Sequence, residues 1–291
     1  MLSTPGIIDT HAHYDDEQFD TDREALLSAL PGEMLCGETA DGKATEKKRL
    51  SYGIEAVINV GASLASCRRA LELSERYERV YAAVGVHPDE VGELERLETE
   101  REALELLRGW SAGKKVVAIG EIGLDYYWDK AERSLQEKWF RAQLRLAKEV
   151  GLPVNIHSRD AAEDTWRIMK EEDLGEIGGI IHCYSYSWEM AEQYLLAGFY
   201  LGIGGVITFK NAKKLKTVVK RAPLERLVLE TDCPYLAPEP YRGKRNRSAY
   251  LTYVAEKIAE IKEIEAEEVV RQTTQNAKRV YQRLRIPGSL S

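Results

Sequence analysis

Short apolar runs recur along the chain, each followed by a longer stretch in which apolar and charged residues mix. The runs cover residues 6–9, 56–61, 80–86, 116–120, 154–157, 179–182, 200–203 and 227–230. They are nearly continuous, β-branched and apolar. That is the pattern of strands buried on both faces of a parallel sheet. Between them the period changes to a helical one: Phe140, Leu144, Ala147 and Val150 fall on one helix face, with charges opposite. Residues 63–77, 163–171, 188–197 and 211–221 read the same way, and 249–261 and 266–284 predict two closing helices. Eight βα repeats in 291 residues predict an α/β fold of the (β/α)8 TIM-barrel type, typically ~250 residues long. An open doubly wound sheet is the runner-up. The expectation is a single barrel domain over 1–291. Residues 31–50, polar and too long for an ordinary connection, form a surface insertion that precedes the second strand and so lies at the N-terminal face.

Composition narrows the function classes. The chain is 44% hydrophobic and 31% charged, ordinary for a globular protein. A formal net charge of −7 gives no global field that attracts nucleic acid. A polyanionic substrate would need metal ions or local cations to meet its phosphates. Four cysteines, Cys36, Cys67, Cys183 and Cys233, form no CxxC pair, which fits a reducing cytoplasm. The N-terminus lacks the basic and apolar regions of a signal peptide. No apolar run approaches the ~20 residues that span a bilayer, so no membrane partner is expected.

The chemistry begins at Ile7–His13, IIDTHAH. Two of only five histidines stand one residue apart after an apolar run. Strand alternation turns His11 and His13 to one side, as a metal ion would require. His87, His157 and His182 also end or follow predicted strands, and so do Glu121 in VAIGEIGLDYY and Asp232 in LVLETDCPYL. In such barrels the C-terminal strand ends build the active site. Imidazoles and carboxylates gathered there suit a divalent ion: Zn, Mn, Co, Ni or Mg. Asp9, two residues before His11, is placed to orient that imidazole. Cys183 and Cys233 adjoin proposed ligands, but alternation turns them toward the helix layer, as small buried residues.

IIDTHAH, AAVGVHP, GEIGLDYY, VNIHSRDA, IIHCYS, TFKNA, LVLETDCPYLAPEP, RGKRN and TTQNAKRVY, in that order from about residue 6 to 283, resemble the TatD family of metal-dependent deoxyribonucleases within the amidohydrolase superfamily. The resemblance implies two divalent metal ions. His11, His13, Glu121 and Asp232 would hold one; Glu121, His157 and His182 would hold the other, with Glu121 bridging. It implies hydrolysis of DNA phosphodiester bonds, from the 3′ end, with RNA and single-stranded ends as further candidate substrates. Glu121 and Asp232 would be the catalytic carboxylates, and His87 and Arg159 would contact a substrate phosphate. Tyr186 departs from the family pattern, standing where glycine usually follows the serine of HCYS.

Read from the residues alone, Asp232 is the candidate general base for a metal-activated water. Arg159, Lys210, Arg242, Lys244 and Arg245 follow strands 5, 7 and 8. Arg159 is the strongest phosphate contact among them, since guanidinium pairs bidentately with phosphate. Tyr126, Tyr127 and Trp128 either stack on a base or pack, with packing expected of at least one. The rival reading is an amidohydrolase or deacylase in the same barrel, acting on a C–N bond or on aminoacyl-tRNA. Many such enzymes bridge their metals with a carboxylated lysine on strand 4. Here Glu121 occupies that place, with no lysine between Lys115 and Lys130.

Overall fold

The computed structural model describes residues 6–31, 52–97, 99–174 and 177–287. The expected insertion at 31–50, with Cys36, lies outside them except for Pro31. Eight parallel strands form one sheet in chain order: β1 (Ile7–Ala12), β2 (Ile54–Val60), β3 (Val80–Val84), β4 (Val116–Asp125), β5 (Val154–Arg159), β6 (Gly179–Ile181), β7 (Tyr200–Ile203) and β8 (Leu227–Leu229). Around it run α1 (Arg23–Ser28), α2 (Leu64–Arg76), α3 (Glu100–Ser111), α4 (Arg133–Val150), α5 (Ala162–Glu171), α6 (Trp188–Leu196), α7 (Lys213–Arg221), α8 (Leu251–Lys262) and α9 (Ala266–Val280). Every predicted strand is present, and the TIM-barrel reading holds. Among the described residues no helix is long and apolar enough to cross a membrane.

Two apolar layers hold this arrangement. The larger lies between sheet and helices, where Trp139 and Phe140 of α4 and Leu144 one turn on are buried. The smaller fills the barrel: Ile8, Ile58, Tyr81, Val117, Ile180 and Val228 point inward, and Tyr281 beyond α9 closes the N-terminal end. The Tyr281 hydroxyl lies 3.1 Å from the Thr10 carbonyl oxygen and 2.9 Å from Asn155 Oδ1, either of which can accept its one proton, so its polar tip is satisfied inside the apolar plug. Each fully buried aliphatic side chain in these layers contributes roughly 1.5–3 kcal/mol.

The inward row continues upward. Two positions on from Ile180 and Asn155 stand His182 and His157; beyond Val228 come Glu230 and Asp232. Alternation aims His157, inside β5, into the C-terminal mouth; His182, Glu230 and Asp232 stand past the last residues of β6 and β8, where the loop backbone, left-handed at Asp232 (φ 56°), sets their direction. β1 and β4 reach it differently. β1 slips in register against β2 between Asp9 and Ala12, and β4 slips against β5 between Ile119 and Ile122, at the points where His11 and Glu121 sit. Such bulges re-aim a side chain at a barrel rim. β4 then stays paired to β5 as far as Asp125, well past the predicted end at 120. Gly123 allows it: its φ is 150°, and a Cβ there would lie 1.8 Å from the His157 carbonyl oxygen.

Closure between β1 and β8 occurs at the mouth itself. Asp232 N–H donates to the His11 carbonyl at 2.9 Å and His13 N–H to the Cys233 carbonyl at 2.8 Å. The backbone bonds that shut the cylinder thus bring the two ends of the chain's ligand set side by side.

Candidate metal centre

Glu121, buried at the tip of the β4 slip, is the hub. Its Oε2 lies 3.5 Å from His11 Nε2 and 3.8 Å from His13 Nε2. Its Oε1 lies 2.8 Å from His157 Nδ1, 3.7 Å from His182 Nε2 and 3.8 Å from His87 Nε2. One carboxylate thus presents each oxygen to a different set of imidazoles. Asp232 Oδ1 completes the first set at 3.3 Å from His13 Nε2, and stands 3.8 Å from His182 Nε2.

These spacings fit metal ligands. Nitrogen and oxygen ligands about 2.0–2.2 Å from a tetrahedral ion stand roughly 3.3–3.5 Å from each other. The His11–His13 Nε2 separation is 3.1 Å, and the neighbouring edges to Asp232 and Glu121 are 3.3 and 3.5 Å. The orientation of each ring agrees. His13 donates Nδ1–H to the Val60 carbonyl at 2.8 Å, His157 turns Nε2 to Asp125 Oδ2 at 3.0 Å, and His182 Nδ1 lies 3.1 Å from Glu230 Oε1. In His13 and His157 the outer nitrogen is hydrogen-bonded, in His182 it stands at ion-pair distance from Glu230, and in all three the inner nitrogen faces the hub, as in metal-ligating histidines. His11 Nδ1 is buried without a partner, and its ring stacks on His182 at 3.5 Å. The donor set fits a divalent ion, with His11, His13, Asp232 and Glu121 spaced as ligands of one, and the other Glu121 oxygen faces His157 and His182.

His87 differs from the other four. Its Nδ1 accepts the Asp89 N–H at 3.1 Å, which leaves the ring proton of the neutral imidazole on Nε2, facing the hub. Burial and the neighbouring His157 push its pKa down to about 3. The neutral Nε2–H is thus a hydrogen-bond donor directed at the hub, although the ring also stands with Asp125 and His157 in a group close enough to share an ion.

The surroundings favour ionised acids and protonated rings. Burial works against the Glu121 carboxylate, but the imidazoles around it outweigh that, His11 and His157 through hydrogen bonds, and hold its pKa well below the ordinary value. Asp232 is likewise lowered against burial, chiefly by its hydrogen bond to His13. His13, opposed by burial but paired with Asp232, is raised to about 10. A cation entering here displaces protons into water.

Asp9 is not a partner of the His11 ring. Its carboxylate accepts the His11 backbone N–H at 3.3 Å, the Thr231 N–H at 3.0 Å, and the hydroxyls of Thr231 and Ser248, each at 2.7 Å. It clamps β1 to the β8 loop, and so sets the position of His11 through the main chain. Burial pushes its carboxyl up to about 7.

Cys233 is buried, as expected. Cys183 is not turned away: it is half-buried at the mouth, its thiol within 4.8 Å of a ring nitrogen of His182 and an oxygen of Glu230. β6 ends at Ile181, and Cys183 takes a left-handed φ of 46°, so strand alternation no longer applies.

The mouth opens into a cavity of about 920 Å³. Arg159 borders it, its guanidinium stacked over Tyr127 at 4.0 Å and Trp128 at 5.5 Å. Those two rings are exposed, whereas Tyr126 donates its hydroxyl to Asp164 and packs. Lys210, Arg242, Lys244 and Arg245 do not line the cavity. Arg245 is committed elsewhere, bonded to Asp22 at 2.8 and 2.5 Å and stacked on Phe19. The cations that join Arg159 are Arg69 and Lys130, which sequence reasoning missed, as it missed Asp125 and Glu230. Both acids stand inside motifs already notable for their neighbours, GEIGLDYY and LVLETD.

The chain matches the family model described as "TatD related DNase" over residues 8–282. It is 45% identical over 275 residues to the uncharacterized metal-dependent hydrolase YabD of Bacillus subtilis, covering 94% of this chain and 98% of that protein. It is 33% identical over 275 residues to the uncharacterized metal-dependent hydrolase YcfH of Escherichia coli, covering 94% and 95%. Among solved structures, the TatD homolog YjjV from E. coli superposes with a TM-score of 0.79 at 31% identity, covering 95% of this chain and 98% of that one.

Proposed function

This chain belongs to the TatD family of metal-dependent hydrolases, and from that premise we propose that it cleaves phosphodiester bonds of DNA, working from a single-stranded 3′ end. The observation that carries the reading is Glu121, whose two oxygens face two separate sets of imidazoles. Such a bridge suits in-line displacement at phosphorus, where attacking and leaving oxygens both need support. Divalent ions held there would supply Lewis acidity and bring the pKa of a bound water down to about 7.

The chain's own groups do the rest. His11, His13 and Asp232 with Glu121 would hold one ion; His157 and His182 with Glu121 would hold the other. Asp232, ionised and 3.3 Å from His13, takes the proton of the attacking water on its carboxylate. The His87 Nε2–H and the Arg159 guanidinium donate to the non-bridging phosphoryl oxygens. The exposed faces of Tyr127 and Trp128 offer a base a stacking platform worth roughly 1–3 kcal/mol per ring.

The cavity lining favours short substrates. Nine acidic and three basic residues surround it, which also suits the rival reading, hydrolysis of a C–N bond or an aminoacyl ester. One panel separates the two: protein loaded in turn with Mn, Mg, Co, Ni and Zn, incubated with 5′-labelled single-stranded DNA, a dihydroorotate-like ring and aminoacyl-tRNA. A ladder of 5′-labelled products shortening from the 3′ end supports the nuclease. Amide or ester cleavage with intact DNA overturns it. Asp232→Asn, at equal metal content, should lose at least a hundredfold in kcat.

A further inference from the structure

Tyr186 stands in the loop between β6 and α6 and reaches across to the end of β5. Its hydroxyl lies 3.0 Å from Ser158 Oγ and accepts the Ala161 N–H at 3.2 Å. Ser158 Oγ in turn meets Thr165 Oγ1 at 2.8 Å. A chain of hydroxyls therefore spans from the first turn of α5 to the neighbouring loop. The segment it brackets is Ser158–Ala161, with Arg159 inside.

That segment does not hold itself. Asp160 adopts φ 52°, a left-handed conformation that non-glycine residues keep only when their surroundings impose it. Ala161 is the N-cap of α5 and has no side chain with which to cap. The Arg159 carbonyl accepts the Tyr126 N–H and the Ala161 carbonyl the Thr165 N–H, each at 2.9 Å. Tyr186 binds the other polar group at the exit, the Ala161 N–H.

Arg159 is positioned by this turn. Its guanidinium lies over the Tyr127 ring at 4.0 Å and 5.5 Å from the Trp128 ring, two rings set 85° apart. A group held against a ring face keeps its edge N–H donors available for a planar pair of oxygens. We propose that Tyr186 is a positioning residue for substrate binding: its hydroxyl locks the Ser158–Ala161 turn and so pre-places the Arg159 edge for a phosphate of a phosphodiester. The proposal rests on the phosphate role given to Arg159 above.

Removing the hydroxyl alone leaves the ring packed, since Tyr186 meets the edge of Tyr184 at 6.1 Å. The test therefore uses Tyr186→Phe, with Ser158→Ala cutting the same relay from its other side. Two readouts are taken on Mn-loaded protein: steady-state hydrolysis of bis(4-nitrophenyl) phosphate, and calorimetric binding of thymidine 5′-monophosphate, which needs no turnover. Either variant should raise KM and Kd about three- to tenfold, the effect of one lost hydrogen bond, with kcat within about twofold. In an Arg159→Ala background the same substitutions should change nothing further. Unchanged KM and Kd in both variants overturn the proposal. So does a loss that recurs undiminished without Arg159, or a fall in kcat that tracks a fall in Tm. If Arg159→Ala itself leaves KM and Kd unchanged, its phosphate role fails and the proposal fails with it, an outcome told apart by that single variant.

Discussion

Raising the salt concentration is a perturbation that asks how many phosphates the protein grips. A groove that tracks a nucleic acid through about eight contacts loses affinity steeply, with a logarithmic slope near −0.7 per contact for a single strand. Between 50 and 200 mM that amounts to a loss on the order of a thousandfold. The cavity here is built otherwise. Its nine acidic residues outnumber its three basic ones. Arg69 is drawn toward Asp15 at 3.6 Å and Lys130 toward Asp89 at 3.4 Å. Among the described residues Arg159 has no carboxylate within ion-pair reach. One phosphate at the ligand cluster and one at Arg159 make one or two contacts in all, so the expected weakening over the same range is only about three- to sevenfold. The assay is kcat/KM on a short single-stranded oligonucleotide at several salt concentrations, with the metal saturating throughout. A hundredfold or steeper fall would refute the reasoning, because the phosphates would then be held by cations outside the cavity.

Three further outcomes follow from particular contacts. Gly202→Ala places a Cβ 2.1 Å from Glu230 Oε2, so this buried carboxylate must move from its place beside His182; it should lower metal affinity at least tenfold through His182, measured by competition with a chelator, and cost about 1–3 kcal/mol of stability in a melt. Chelation of the bound metal should lower Tm and re-addition restore it, by an amount that grows with the logarithm of free metal; a Tm indifferent to metal would count against the ligand set. Arg245 beside Asp22 holds that carboxyl below its usual range, so the pair stabilises the fold above the unfolded pKa of about 3.9 and ceases to as pH falls through the lower folded value. The pair is partly exposed, so Asp22→Asn should cost only about 0.5 kcal/mol, or 1–2 °C, constant from pH 8 to 5 and vanishing toward pH 2; a deficit that grows on acidification contradicts the sign.

Much of the barrel was legible because burial on both faces leaves one kind of pattern. The run at 154–157 is apolar for the same reason that its end points into the mouth. What the pattern could not carry was the length of β4. Gly120 and Gly123 look like breakers, yet they let the strand press against β5 and continue to Asp125. The fate of Arg245 was hidden too, since its partner Asp22 is 223 residues away. Arg69 and Lys130 lie on α2 and a loop that nothing in the sequence ties to the mouth. Alternation placed His11 beside His13 correctly, and misplaced Cys183 because it was applied past the end of a strand. The candidate metal ligands were readable since each lies at or just past the end of an apolar run; the groups that orient them were not, because they act through main-chain positions and a ring's second nitrogen.

The account stands on Glu121 being shared between two ions, and electron paramagnetic resonance of Mn-loaded protein addresses that sharing directly. Two equivalents of Mn per chain should give the broadened multiline spectrum of an exchange-coupled pair, replaced in Glu121→Gln by the six-line signal of isolated Mn. A wild-type protein that saturates at one equivalent, or that takes two and shows only isolated Mn, contradicts it.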